Sequence, residues 1–83
     1  MMAAPQAHDR PTVEKHLRTA LQRVAAAQRL VDRQHALLAT LEAHGHATGT
    51  ARKLLSQFED LQALHVATRD RLIEELARLP THG

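Results

Sequence analysis

From Val13 onward the apolar positions of this chain recur at helical spacing, and they do so in two separate stretches. In the first, Leu17, Val24, Val31 and Leu38 fall seven residues apart, and Val13, Ala20, Ala27 and Leu41 follow a parallel register broken at Gln34. That pattern is the a/d seam of a coiled coil. Leu21 widens the stripe on one side, and Leu30 and Leu37 widen it on the other. In the second stretch Leu54, Phe58, Leu61, His65, Thr68, Leu72, Leu76 and Leu79 share a side, flanked by Leu55, Val66 and Ile73. The seam expected from the two stripes comprises Leu17, Leu21, Val24, Val31, Leu38, Leu54, Phe58, Leu61, Leu72 and Leu76.

The boundaries follow from local chemistry. Pro11-Thr12 opens the first helix, with Thr12 as N-cap and Glu14 in the first turn beside the positive end of the helix dipole. This helix is expected over about residues 13–44, because Gly45 takes the left-handed conformation of a C-terminal cap without a Cβ penalty. A turn over about 45–48 leads to Thr48 as the second N-cap, and the second helix covers about 49–79 before Pro80 stops it. Residues 1–11 are expected to be a disordered polar tail, without the apolar stretch of a signal peptide, and 80–83 a C-terminal tail.

Two helices of about 31 residues, each ~46 Å long, joined by so short a link, predict an all-α antiparallel hairpin. Folding about the turn brings together residues whose numbers sum to roughly 93. The apolar arcs are wider than one seam needs, and an isolated pair of helices is marginal in water. A coiled-coil-like hairpin pairing into a homodimeric four-helix bundle covers them, since symmetric self-pairing is the commonest solution. An unidentified protein partner is the alternative cover.

Composition adds exclusions. The 83 residues contain no Cys, Trp or Tyr and one Phe, so thiolate metal sites and cysteine nucleophiles are absent. No apolar run approaches the ~20 residues needed to span a bilayer, so no membrane role is expected and the cytoplasm is the expected location. Eleven Lys and Arg against nine Asp and Glu give a net charge of +2, spread along the chain rather than gathered into a basic arm. On the outer face of the first helix, Lys15, Arg18, Arg29 and Arg33 fall within about a 60-degree arc and present possible phosphate contacts. With no aromatic among them for base stacking, at most weak, sequence-independent nucleic-acid binding follows; the plainer reading is a solvated face.

Seven histidines are the unusual feature of the composition. His8 and His82 lie in the tails, while His44 and His46 flank the turn glycine and are the candidate metal ligands. No carboxylate follows either histidine at the i, i+3 or i, i+4 spacing that helix-borne sites use, so these two are solvated turn residues on the simpler view and no metal or cofactor is expected. Gln28, Gln34, His35, His65 and Thr68 fall near the seam and are candidates to fix register and oligomeric state. Their functional counterpart is a polar layer that changes charge between about pH 5 and 8. Catalysis is not expected: Ser56 and His65 stand ~13 Å apart along one helix, and no phosphate loop, dinucleotide fingerprint or HExxH is present.

The run Arg33-Gln34-His35-Ala36-Leu37-Leu38-Ala39-Thr40-Leu41-Glu42, then His44-Gly45-His46, Ala51-Arg52-Lys53-Leu54-Leu55, and Leu64-His65 followed by Arg69-Asp70-Arg71-Leu72, resembles short proteobacterial proteins of unassigned activity. Those look like helical hairpins with a Gly-His turn. The resemblance covers residues 13–79 and departs after the turn, where the group often carries acidic residues and this chain has Ala47 and Gly49. It implies a hairpin and no activity, substrate or cofactor. The functional expectation is therefore a small non-enzymatic interaction or regulatory module acting through self-association and helix-face contacts. Nucleic-acid binding and histidine-based metal binding are its alternatives.

Overall fold

A computed structural model describes residues 9–80. Two helices, α1 (Arg10–Ala43) and α2 (Gly49–Arg78), pack against each other along their length as an antiparallel hairpin. The principal extents are 63 × 25 × 14 Å, so the fold is one helix thick. Among the described residues each helix therefore has a neighbour on one side only.

The first helix starts earlier than Pro11-Thr12 suggested. Asp9, not Thr12, is the N-cap: it is extended, and its Oδ1 accepts from the Thr12 backbone N–H at 3.0 Å. Pro11 sits within the first turn, where its missing N–H would have had no partner in any case. Glu14 consequently falls beyond the first turn and lies 3.8 Å from Arg10, one turn back. Residues 9–11 thus belong to the folded hairpin and Pro80 is described beside them, while residues 1–8 and 81–83 of the expected tails, His8 and His82 included, lie outside the described residues.

The other end of α1 closes as Gly45 dictates. Its φ of 71° is left-handed, the Gly45 N–H bonds Glu42 O at 3.2 Å, and the His46 N–H bonds Leu41 O at 2.9 Å. Those two bonds form a Schellman motif, which satisfies carbonyls the helix leaves open. Thr48 occupies the N-cap position of α2 but makes no side-chain cap; its hydroxyl accepts from Arg52 Nε at 3.1 Å instead. Arg52 also pairs with Glu42 and so straps the two helices together beside the turn.

The open end is tied by a residue that the sequence pattern assigned to a tail. The Arg10 guanidinium donates to the carbonyl oxygens of Leu79 at 3.3 Å and Pro80 at 3.2 Å, at the C-terminus of α2. A cation there also complements the negative end of the helix dipole.

The core runs along the seam as two clusters. Val31, Leu38, Ala51 and Leu55 are buried near the turn, with Leu41 and Phe58 packed against them. Val13, Ala20 and Leu72 are buried near the open end, with Leu17, Leu76 and Leu79 alongside. Ala27 lies buried between. Alanines at these points let the helices approach, because a small side chain on one helix leaves room for a larger one on the other.

This seam differs from the expected one. Val31, Leu38 and Leu72 are buried, and Leu17, Val24, Phe58 and Leu76 are half-buried, but Leu21, Leu54 and Leu61 are exposed. Their places are taken by Ala20, Ala51 and Leu55. The reason is angular: neighbouring residues on a helix point about 100° apart, so burying Leu55 turns Leu54 out, and burying Ala20 turns Leu21 out.

Candidate functional surfaces

The hairpin presents two broad faces, and the polar and apolar residues divide them diagonally. At 100° per residue, Leu30, Leu37 and Leu41 of α1 and Leu54, Leu61 and Leu64 of α2 lie to the same side of the seam, in the half nearer the turn. Leu37 is 48% exposed and Leu64 62%. Ala26, Thr50 and Gln57 complete this surface, which carries no charge; Arg33, Lys53 and Asp60 border it. Toward the open end the same face becomes polar and sinks into a groove of about 420 Å³. His16, Thr19 and Arg23 of α1 and His65, Thr68 and Arg71 of α2 line its walls, Ala20 and Leu72 its floor, and Leu64 the side toward the leucines.

The opposite face reverses the arrangement. Near the turn it is bridged by polar pairs: Glu42 with Arg52, His35 Nε2 3.8 Å from Glu59 Oε2, and Gln62 donating to Gln28. Gln28 in turn donates to Asp32 at 2.8 Å. Farther out, Leu21 and Ile73 are exposed near the open end. These three bridges follow the register expected for an antiparallel hairpin to within about a turn.

The candidate register residues separate into three situations. Gln34 is buried, 6% exposed, and its Nε2 donates to Ala51 O at 3.1 Å, tying the middle of α1 to the first turn of α2. Gln28 and His35 are on the polar face, where Gln28 accepts from Gln62 and His35 lies 3.8 Å from Glu59. His65 and Thr68, half-buried, open into the groove instead of joining a continuous polar layer with Gln28, whose partner is Gln62 one turn away.

Lys15, Arg18, Arg29 and Arg33 are all exposed along α1, and none pairs with a carboxylate among the described residues. At the tip, the His44 and His46 rings stand with centroids 6.2 Å apart, and His44 Nδ1 lies 2.9 Å from Thr40 O. Among the described residues no three His, Asp or Glu side chains group as metal ligands, so the tip offers two.

Two functional features escaped the sequence pattern. Arg10 joins positions separated by nearly the whole chain, and nothing local announces that contact. The groove was open to detection: His16, Thr19 and Arg23 share one side of α1 at helical spacing, as Thr68 and Arg71 do on α2, and the antiparallel register places the two sets opposite.

Among the described residues no helix is long and apolar enough to cross a membrane. Comparison of the chain with protein families, with curated proteins and with solved structures gives no match.

Proposed function

We propose that this chain is a non-enzymatic interaction module that self-associates through its leucine face, two hairpins pairing into a four-helix bundle. The observation that supports it is the uncharged surface of Leu30, Leu37, Leu41, Leu54, Leu61 and Leu64 on a fold one helix thick. A contiguous apolar patch rimmed by charge has the anatomy of a protein interface. The rim favours a second copy as the occupant. In a two-fold contact the same patch meets itself, so Arg33 and Lys53 of one copy can approach Asp60 of the other.

Magnitudes set the strength. Leu37, Leu54, Leu61 and Leu64 are each a third to two thirds exposed, and burying such a side chain contributes about 1 kcal/mol. Four from each copy contribute ~8 kcal/mol, against an association cost of at least ~4 kcal/mol. The outcome is a reversible dimer with a dissociation constant on the order of 1 mM. Light scattering behind a sizing column, over a wide concentration range, should show the mass rising from 9.2 kDa toward twice that value. A mass that stays at one chain into the millimolar range would refute the reading.

A further inference from the structure

The groove at the open end carries chemistry that self-association does not use. Its six polar side chains comprise two guanidiniums, two imidazoles and two hydroxyls, contributed equally by the two helices, and no carboxylate lines it. Arg23 and Arg71 are exposed, and neither is ion-paired to a described carboxylate. Asp70, next to Arg71 in the chain, is engaged by Arg69 at 2.9 Å. Cationic and hydroxyl donors thus converge on one hollow that no described carboxylate lines.

Donor geometry narrows the ligand. A guanidinium presents parallel N–H groups that match two oxygens of an oxyanion, and hydroxyls supply further donors to a centre that has three or four oxygens. A tetrahedral phosphoryl group can accept from both arginines and both threonines, whereas a planar carboxylate has two oxygens to share among them. The floor is different in kind. Ala20, Leu72 and the adjacent Leu64 are apolar, and a volume of about 420 Å³ exceeds what one inorganic anion fills.

We propose that this groove binds a phosphomonoester, with the phosphoryl group held between Arg23 and Arg71 and the organic body laid against Leu64 and Leu72. The site is complete within one chain and shares Leu64 with the leucine face, so phenyl phosphate is expected to bind the single hairpin.

Phenyl phosphate is a suitable probe, titrated against the full chain by calorimetry and by amide chemical shifts. Saturable binding is expected, with shifts concentrated on residues 16–23 and 64–72. Arg23→Gln and Arg71→Gln should each weaken it about tenfold, the loss of one charge-assisted bidentate contact. Thr68→Val should weaken it less, and the double variant Arg29→Gln, Arg33→Gln on the outer face should leave it unchanged. Both groove arginines are exposed, so circular dichroism should show the variants fully helical. Inorganic phosphate should bind more weakly than phenyl phosphate, and benzoate more weakly still. If vesicles containing phosphatidic acid also capture the chain, and Arg71→Gln abolishes the capture, the phosphoryl group belongs to a lipid; binding of phenyl phosphate without vesicle capture assigns it to a soluble compound. Absence of saturable binding into the millimolar range would overturn the proposal. So would an equal loss in the outer-face variant, which would signal general attraction to positive charge, as a short DNA duplex would then also report.

Discussion

Arg10 and Pro80 are joined across the open end of the hairpin, where the arginine Nη2 donates to the proline carbonyl at 3.2 Å. The same side chain reaches Leu79 O at 3.3 Å, so a residue at the start of α1 satisfies carbonyls at the end of α2. Those carbonyls have no helical partner of their own. Arg10→Ala should therefore lower stability by about 1 kcal/mol, a magnitude suited to a charge-assisted contact at a partly exposed helix end. Hydrogen exchange should locate the loss: amides after residue 72 should exchange faster while those near the turn keep their protection. Uniform loss along both helices would mean that Arg10 acts otherwise.

The turn makes a sharper prediction. Gly45 has a φ of 71°, and a Cβ built there meets nothing within 4 Å, so a substitution would be opposed by backbone conformation alone. Gly45→Ala should cost about 1 to 2 kcal/mol, the penalty of the left-handed region for a residue with a Cβ. Gly45→Asn should cost less, since asparagine tolerates that region better. Thermal unfolding of the two variants checks the order.

The seam is tested by contrast. Leu72 is 6% exposed and Leu55 9%, and truncation of either to alanine should cost about 2 to 5 kcal/mol. Leu21 is 47% exposed, and Leu21→Ala should change stability by less than about 1 kcal/mol. Denaturant titration would sink the register described above if Leu21→Ala and Leu54→Ala proved as costly as Leu55→Ala.

These contrasts show where legibility ended. Helices, turn and antiparallel pairing were readable because a 3.6-residue repeat and a left-handed glycine are local signals. The choice between Leu54 and Leu55 was not local. Both fit an apolar stripe, and the tie is broken by how closely the helices approach, which Ala20, Ala27 and Ala51 decide. The sequence places Ala20 and Ala27 on the a/d register, but a seam counted by its large side chains leaves out both of them and Ala51. Asp9 was lost to the tail for a similar reason: Pro11 looked like a boundary, whereas a proline within the first turn belongs inside the helix. Of the groove residues, His65 and Thr68 read as seam positions while His16, Thr19, Arg23 and Arg71 carried no signal of their own, and only the opposition of two helices makes them a site.

Gln34 separates hydrogen bonding from packing. Its amide donates to Ala51 O at 3.1 Å inside the seam. Gln34→Ala removes both the bond and the volume and should cost about 1 to 3 kcal/mol. Gln34→Leu keeps the volume, and Ala51 O sits within α2, where the helix supplies its own donor. Stability of the leucine variant should therefore equal or exceed that of the parent. A large loss in Gln34→Leu would mean that the bond itself holds the register.

The diagonal division of the surface gives self-association a directional test. Leu37 and Leu61 lie on the leucine face, Leu21 and Ile73 on the opposite one, and all four are exposed, so none is needed for the core. Placing glutamate at any of them should leave the hairpin folded. Burial of an unpaired carboxylate is costly, so Leu37→Glu or Leu61→Glu should abolish pairing through the leucine face, while Leu21→Glu and Ile73→Glu should leave the mass of the parent. The reverse pattern would move the contact to the other face, where the His35–Glu59 and Glu42–Arg52 bridges would have to be covered. An apolar partner on that side would bury Glu59, Glu42 and Arg52 away from water, which is why the leucine face is the one expected to respond.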